Sequence, residues 1–269
     1  MYSSSKFLIG FFVHFAILHF PAISGILNHV KGRYPKRKKI KKLKKVLDKS
    51  NIMCYNKYIN QGSKCSKRKE IKTMKNIKIF ERELNLIVNE DLRMAVKSYM
   101  EERVPDHFWE DGASASGKFH PKFAQGKGGL VRHTKAVVLF AEELLRMSSY
   151  AYMREEYKDY VIAACIIHDS MKYGLHEFDK SEYKNHAKNA SIAFAEWCET
   201  ECGFTPHFLL LNAVESHMGQ WSTEREDRPF TSVDRCVHMA DYMASRNFID
   251  IPSIMDEYAS VVDEADLPF

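Results

Sequence analysis

Residues 160–172 read YVIAACIIHDSMK. The first eight are apolar on every side of a helical wheel, which predicts a central helix buried all round. The run ends in His168 and Asp169. Taking an ionisable doublet into such surroundings is costly unless the groups are paired or hold a metal.

The segments on either side also read as helices. Asn89 precedes EDLRMAVKSYMEERV, with acids in the first turn as a helix start prefers. Residues 130–147, LVRHTKAVVLFAEELLRM, place His133, Val137, Ala141 and Leu144 on one face. Near 186–199, Ala187, Ala190, Phe194 and Trp197 form a stripe. Thr205 followed by Pro206 predicts a capped helix with proline at its first position, opening PHFLLLNAVESHM. Thr231 and Asp234 have capping-box spacing ahead of VDRCVHMADYMASR. Period-2 alternation is scarce, so the expected fold class is an all-α helical bundle.

One connection is too long for a bundle linker. Residues 105–129, PDHFWEDGASASGKFHPKFAQGKGG, hold five of the twelve glycines and two of the eight prolines. Phe108, Trp109, Phe119 and Phe123 argue that this loop packs down rather than staying loose. ASASGK lacks the spacing of a nucleotide-binding P-loop, but Ser116, Gly117 and Lys118 are candidate phosphate contacts.

Nine of the twelve histidines lie beyond residue 73, and several fall in line with apolar helix faces. His133 shares a face with Val137, His186 with Ala190, His217 with Val214, and Asp241 with Val237 and Ala244. With His168 and Asp169, polar groups then point inward from five helices. Imidazoles and carboxylates together can hold a divalent transition metal in a helical core.

These elements, in this order, resemble the HD superfamily of metal-dependent phosphohydrolases. GGLVRHT (128–134) looks like its first histidine motif, HDSMK (168–172) its HD-x-x-K form, and ADYMAS (240–245) its last aspartate motif. The resemblance spans about 105–246, and the wording of the motifs also resembles HD proteins of phage and prophage genomes. It implies that His133, His168, Asp169 and Asp241 ligate one metal. His186 and His217 occupy the places of the extra histidines in two-metal members, with Asp169 bridging. The implied cofactor is one or two divalent ions (Mn, Co, Ni, Fe or Zn) that activate a water and polarise the phosphoryl oxygen. Asp169 and Lys172 are the catalytic candidates. Lys172 lies one turn beyond His168 to neutralise charge on phosphate, and Lys118, Arg132 and Arg246 are candidate substrate contacts. The loops 174–185 and 219–230 are expected to rim the pocket, with Tyr173 just ahead of the first and Trp221 and Arg225 on the second as weaker candidates. In one place the sequence departs from the family pattern, with Ser170–Met171 replacing a hydrophobic–glycine pair.

The formal net charge of +5 is a sum of unlike parts. Residues 1–73 carry 18 Lys and Arg against Asp48 and Glu70, a net of +16, while 74–269 hold 22 basic and 33 acidic residues, a net of −11. Within residues 1–30, the stretch 7–27 is uncharged and long enough to cross a bilayer, although His14, His19 and Pro21 interrupt it. Residues 31–73 read as a basic, disordered linker, and KGRYPKRKKIKKLKKVLDK (31–49) suits acidic lipid or nucleic acid. Three readings stand for 1–73: a membrane anchor with the remainder inside the cell, a basic arm, or upstream sequence ahead of a start at Met74. The helical metal-binding domain is expected over 74–269. Six cysteines without a Cys-x-x-Cys pair suggest a reducing, cytoplasmic compartment.

The favoured function is hydrolysis of a phosphomonoester or phosphodiester of a nucleotide or short nucleic acid. Two others stay open: a di-iron oxygenase using the same extra histidines, and a non-catalytic nucleotide-binding module. A full ligand set argues against the last. The acidic character of 74–269 favours small nucleotides over nucleic acid.

Overall fold

A computed structural model of the chain describes residues 75–114, 120–175, 178–222 and 227–261. Among the described residues every regular element is helical. The α-helices run α1 (Glu81–Asn85), α2 (Glu90–Ser98), α3 (Asp106–Glu110), α4 (Gly129–Arg146), α5 (Glu155–Ile167), α6 (His186–Trp197), α7 (Phe208–Ser216), α8 (Ser232–Ala244) and α9 (Pro252–Ala259). The all-α expectation holds for this region. Among the described residues no helix is long and apolar enough to cross a membrane. The apolar stretch 7–27 and the basic run 31–49 lie outside the described residues.

Local signals explain several helix starts. Asn89 caps α2 by accepting the Leu92 amide at 2.8 Å, and Glu90 and Asp91 follow in its first turn. At α8 the capping box forms as spaced: the Thr231 hydroxyl takes the Asp234 amide, and the Asp234 carboxylate takes the Thr231 amide at 2.9 Å. The same carboxylate oxygen also accepts from Asn212 Nδ2 at 2.8 Å, tying α7 to α8. The start of α7 differs from expectation. His207, not Thr205, is the cap, and the helix begins at Phe208. The cause is tertiary: the His207 ring stacks on Tyr160 of α5, centroids 5.0 Å apart and 12° from parallel, so that residue stays extended.

Helix α5 is the hub, packing against α2, α4, α7 and α8. Val161 and Ala163 to Ile167 are buried completely or nearly so, as an all-round apolar run requires. Helix α4 packs most extensively against α8 and is anchored on its far side by Lys135. That buried ammonium bridges Glu83 of α1 at 2.8 Å, Glu257 of α9 at 3.1 Å and the Ile79 carbonyl at 2.9 Å. Pairing of this kind is what makes a buried lysine tolerable.

The loop between α3 and α4 packs down, with Phe108, Trp109 and Phe123 buried. It turns into α4 through two glycines that tolerate no side chain. Gly128 has φ +67°, and a Cβ there would lie 1.9 Å from the Tyr258 hydroxyl. A Cβ on Gly129 would lie 2.4 Å from the Ala124 carbonyl oxygen. The pair lets the loop close directly on the first turn of α4.

Candidate metal centre

The fold brings the six predicted ligands together, mostly at helix ends. His133 sits early in α4, His168 is the C-cap of α5 with Asp169 next to it, His186 opens α6, and His217 is the C-cap of α7. Asp241 lies in the last turn of α8. Adjacent residues on a continuous helix diverge, but α5 ends at Ile167 and tight turns follow. The Ser170 amide bonds the Ile167 carbonyl, and the Lys172 amide the Asp169 carbonyl. His168 itself keeps helical backbone (φ −53°, ψ −43°), and both members of the doublet border the same space. All but Asp241, which keeps 17% of its side chain exposed, are essentially inaccessible.

The two oxygens of Asp169 face different partners. Oδ2 lies 3.8 Å from His133 Nε2 and 3.5 Å from His168 Nε2, with Asp241 Oδ1 3.1 Å from His133 Nε2. Oδ1 lies 3.1 Å from His186 Nε2 and 3.8 Å from His217 Nε2. Two groups of potential ligand atoms each fall within 4.8 Å: His133, His168 and Asp241, and His168, Asp169 and His217.

Hydrogen bonds prepare the imidazoles as ligands. His168, His186 and His217 each place Nδ1 on the carbonyl three residues back, those of Cys165, Tyr183 and Val214, at 2.7, 2.5 and 2.7 Å. A carbonyl only accepts, so Nδ1 carries the proton, and in the neutral ring Nε2 then presents a lone pair. The Nε2 atoms of His186 and His217 are 3.0 Å apart, while His168 Nε2 and Asp169 Oδ1 are buried without hydrogen-bond partners. On the Oδ1 side these lone pairs converge without a donor between them, while Lys172 Nζ donates to Oδ2; such a donor set suits a divalent cation, so the residues present fit a metal.

The electrostatics agree. Burial pushes the carboxyls of Asp169 and Asp241 upward but is outweighed. Lys172 and His168 hold Asp169 well below the usual range, and the His133 hydrogen bond does the same for Asp241. Burial lowers His133, and it lowers His217 to about 3 together with its imidazole neighbours. His168 goes the other way: burial opposes its charge, but Asp169 and Asp241 raise it.

Lys172 is buried rather than solvated, with Nζ 2.5 Å from Asp169 Oδ2 and 5.9 Å from the Tyr183 ring centre. Its pKa is raised, because Asp169 more than offsets the cost of burial. Arg132, an expected phosphate contact, is turned toward the loop. Its buried guanidinium gives three of its five N–H donors to the carbonyls of Phe123, Lys127 and Gln125 and lies 4.6 Å from the Tyr258 ring centre. Arg246 stacks over Tyr242 at 4.2 Å and bonds the Tyr242 carbonyl and Ser245 hydroxyl. Tyr173 is buried with its hydroxyl donating to the Gly112 carbonyl, whereas Trp221 is exposed and stacked on Tyr242. Ser116, Lys118 and Arg225 lie outside the described residues. One group facing the cluster was missed in the sequence. His120 stands against His133 with ring centroids 5.1 Å apart. It sits in an aperiodic loop, where its only signal was the company of buried aromatic residues.

Residues 130–246 match the family model for the HD domain, so the stretch from α4 to just past α8 is an HD domain. No curated protein and no solved structure matches the chain. An HD domain with a buried His/Asp cluster is consistent with metal-dependent phosphohydrolase chemistry.

Proposed function

We propose that the chain is a metal-dependent phosphohydrolase acting on a phosphomonoester or phosphodiester of a nucleotide. The observation that carries this reading is the division of the Asp169 oxygens between two sets of imidazoles, with a buried lysine beside them. His133, His168, Asp169 and Asp241 would hold one divalent ion, and Asp169, His186 and His217 a second. Such ions supply Lewis acidity toward a phosphoryl oxygen and lower the pKa of water. The chain's own residues do the rest. Asp169 stays ionised at any physiological pH and fixes Lys172 at the cluster. Lys172 adds a permanent positive charge where a phosphate would carry negative charge. The surrounding apolar helices keep bulk water from screening these charges.

The same two-sided cluster would serve a di-iron oxygenase. Lys172 favours the hydrolase, because an anionic substrate makes use of a buried cation. The test is a screen of the full chain and of residues 74–269 against nucleotides, cyclic dinucleotides and short single-stranded oligonucleotides with added manganese, cobalt or nickel. Phosphate release that disappears, together with metal, in the His168→Ala, Asp169→Ala double variant is expected. A double variant that keeps both would refute the assignment, and dioxygen-dependent turnover by anaerobically purified iron protein would favour the oxygenase.

A further inference from the structure

Beyond the six clustered side chains, one more imidazole reaches the same space. The His120 ring stands 5.1 Å, centroid to centroid, from that of His133, and Lys172, Asp241 and Asp169 are near enough to act on its charge. It belongs to neither group of converging ligand atoms. Its Nδ1 is buried without a hydrogen-bond partner, yet the residue as a whole is only half-buried, so the ring stands between the cluster and the surface.

Its loop is held by an unusual clamp. Arg132 donates to three successive parts of the turn, the carbonyls of Phe123, Gln125 and Lys127, at 2.5, 2.8 and 2.8 Å. Gln125 in turn donates from Nε2 to the carbonyl of His120 at 3.0 Å. One buried guanidinium thus fixes the chain from Phe123 to Lys127, and through Gln125 the backbone of His120. An imidazole carries an N–H donor in every tautomer, and a substrate phosphate is the acceptor that the neighbouring Lys172 also suits.

Resting on the phosphohydrolase reading above, we infer that His120 is a catalytic residue that donates a hydrogen bond to a phosphoryl oxygen of the substrate. Arg132 is the positioning residue that holds its loop. The test uses the full chain loaded with Mn²⁺, with metal content from mass spectrometry, affinity for inorganic phosphate from calorimetry, and kcat on the best nucleotide substrate. His120→Ala should keep the wild-type metal content, bind phosphate roughly 10- to 100-fold more weakly and lose kcat by about 100-fold. His120→Gln, which retains an N–H donor and fills the space, should recover most of the phosphate affinity. It also carries the test if the alanine variant does not fold. His133→Ala should instead lose metal. A His120→Ala protein short of metal would make His120 a ligand and overturn the assignment, as would one that binds phosphate like the wild type. A wild-type chain that holds Mn²⁺ but binds no phosphate would overturn the phosphohydrolase reading and, with it, the role of His120.

Discussion

Replacing His186 by alanine probes the two-sided arrangement most directly. The wild-type Nε2 lies 3.1 Å from Asp169 Oδ1 and 3.0 Å from His217 Nε2. The substitution therefore weakens the Oδ1 side and leaves His133, His168 and Asp241 around Oδ2. An ion present at 100 times its dissociation constant stabilises the native state by about 2.7 kcal/mol. In a domain of this size each kcal/mol moves the melting temperature by about 2–4 °C. One ion should raise it by about 5–11 °C, and two independent ions by about twice that. The absolute melting temperature also carries the cost of the cavity left by the ring, so the comparison must be made within each variant, with EDTA and with Mn²⁺. Scanning calorimetry with metal content measured in parallel is the assay. His186→Ala should retain one ion and about half the wild-type shift. His168→Ala should likewise lose about half of it, because His168 stands on the Oδ2 side and leaves His186 and His217 around Oδ1. A His186→Ala protein with two ions and the full shift would refute the division of Asp169 between two ions, and so would an undiminished shift in His168→Ala.

Two further outcomes follow from buried polar groups. Ser170→Ala removes the partner, at 2.9 Å, of the fully buried Tyr99 hydroxyl; the expected loss is about 1–3 kcal/mol in urea denaturation, with metal content unaltered, and an unchanged midpoint would contradict the contact. The metal-free chain should lose stability as pH falls from about 6.5 toward 4. Burial holds His217 and His120 at about 3, below their ordinary 6.5, so across that window the unfolded chain binds more protons than the native one. His168, whose pKa is raised, acts in the opposite direction chiefly above 6.5, and His133, also lowered by burial, adds to the loss. The depressed carboxyls of Asp169 and Asp241 then add a further loss below their ordinary 3.8. Urea midpoints that stay level from pH 7 to 4 would show that the rings are not buried as neutral groups.

Much of the fold was legible because its signals are local or periodic. The YVIAACII run announced a helix buried on all sides, and α5 is the hub. Thr231 and Asp234 announced their own reciprocal bonds, and Asn89 its cap. The start of α7 was misread where tertiary contact overrides local preference. Thr205 and Pro206 carry the right residue types, but stacking of His207 on Tyr160 delays the turn into helix. The Ser170 departure from the family pattern has the same character. A residue that looks anomalous beside its motif is explained by Tyr99, far away in sequence, whose hydroxyl needs a partner.

The site divides along the same line, between spacing and direction. Successive residues on a helix point about 100° apart. Within α4, His133 and Arg132 therefore cannot both face the cluster, and the structure gives the cluster to His133 and the loop to Arg132. That much could have been read from the sequence by applying helical geometry to both residues. His168 and Asp169 are adjacent and still reach one cluster: His168 keeps helical backbone, and the two side chains enter from neighbouring directions at the end of α5. Lys172 lies three residues beyond Asp169, the spacing at which neighbours meet on a helix, and its ammonium rests on that carboxylate. The HD pair thus sits where α5 ends, with two neighbouring side chains and a lysine meeting at one point. Apolar periodicity marks the helix that delivers them, whereas His120, carried by a loop without any period, is invisible to a wheel or a stripe.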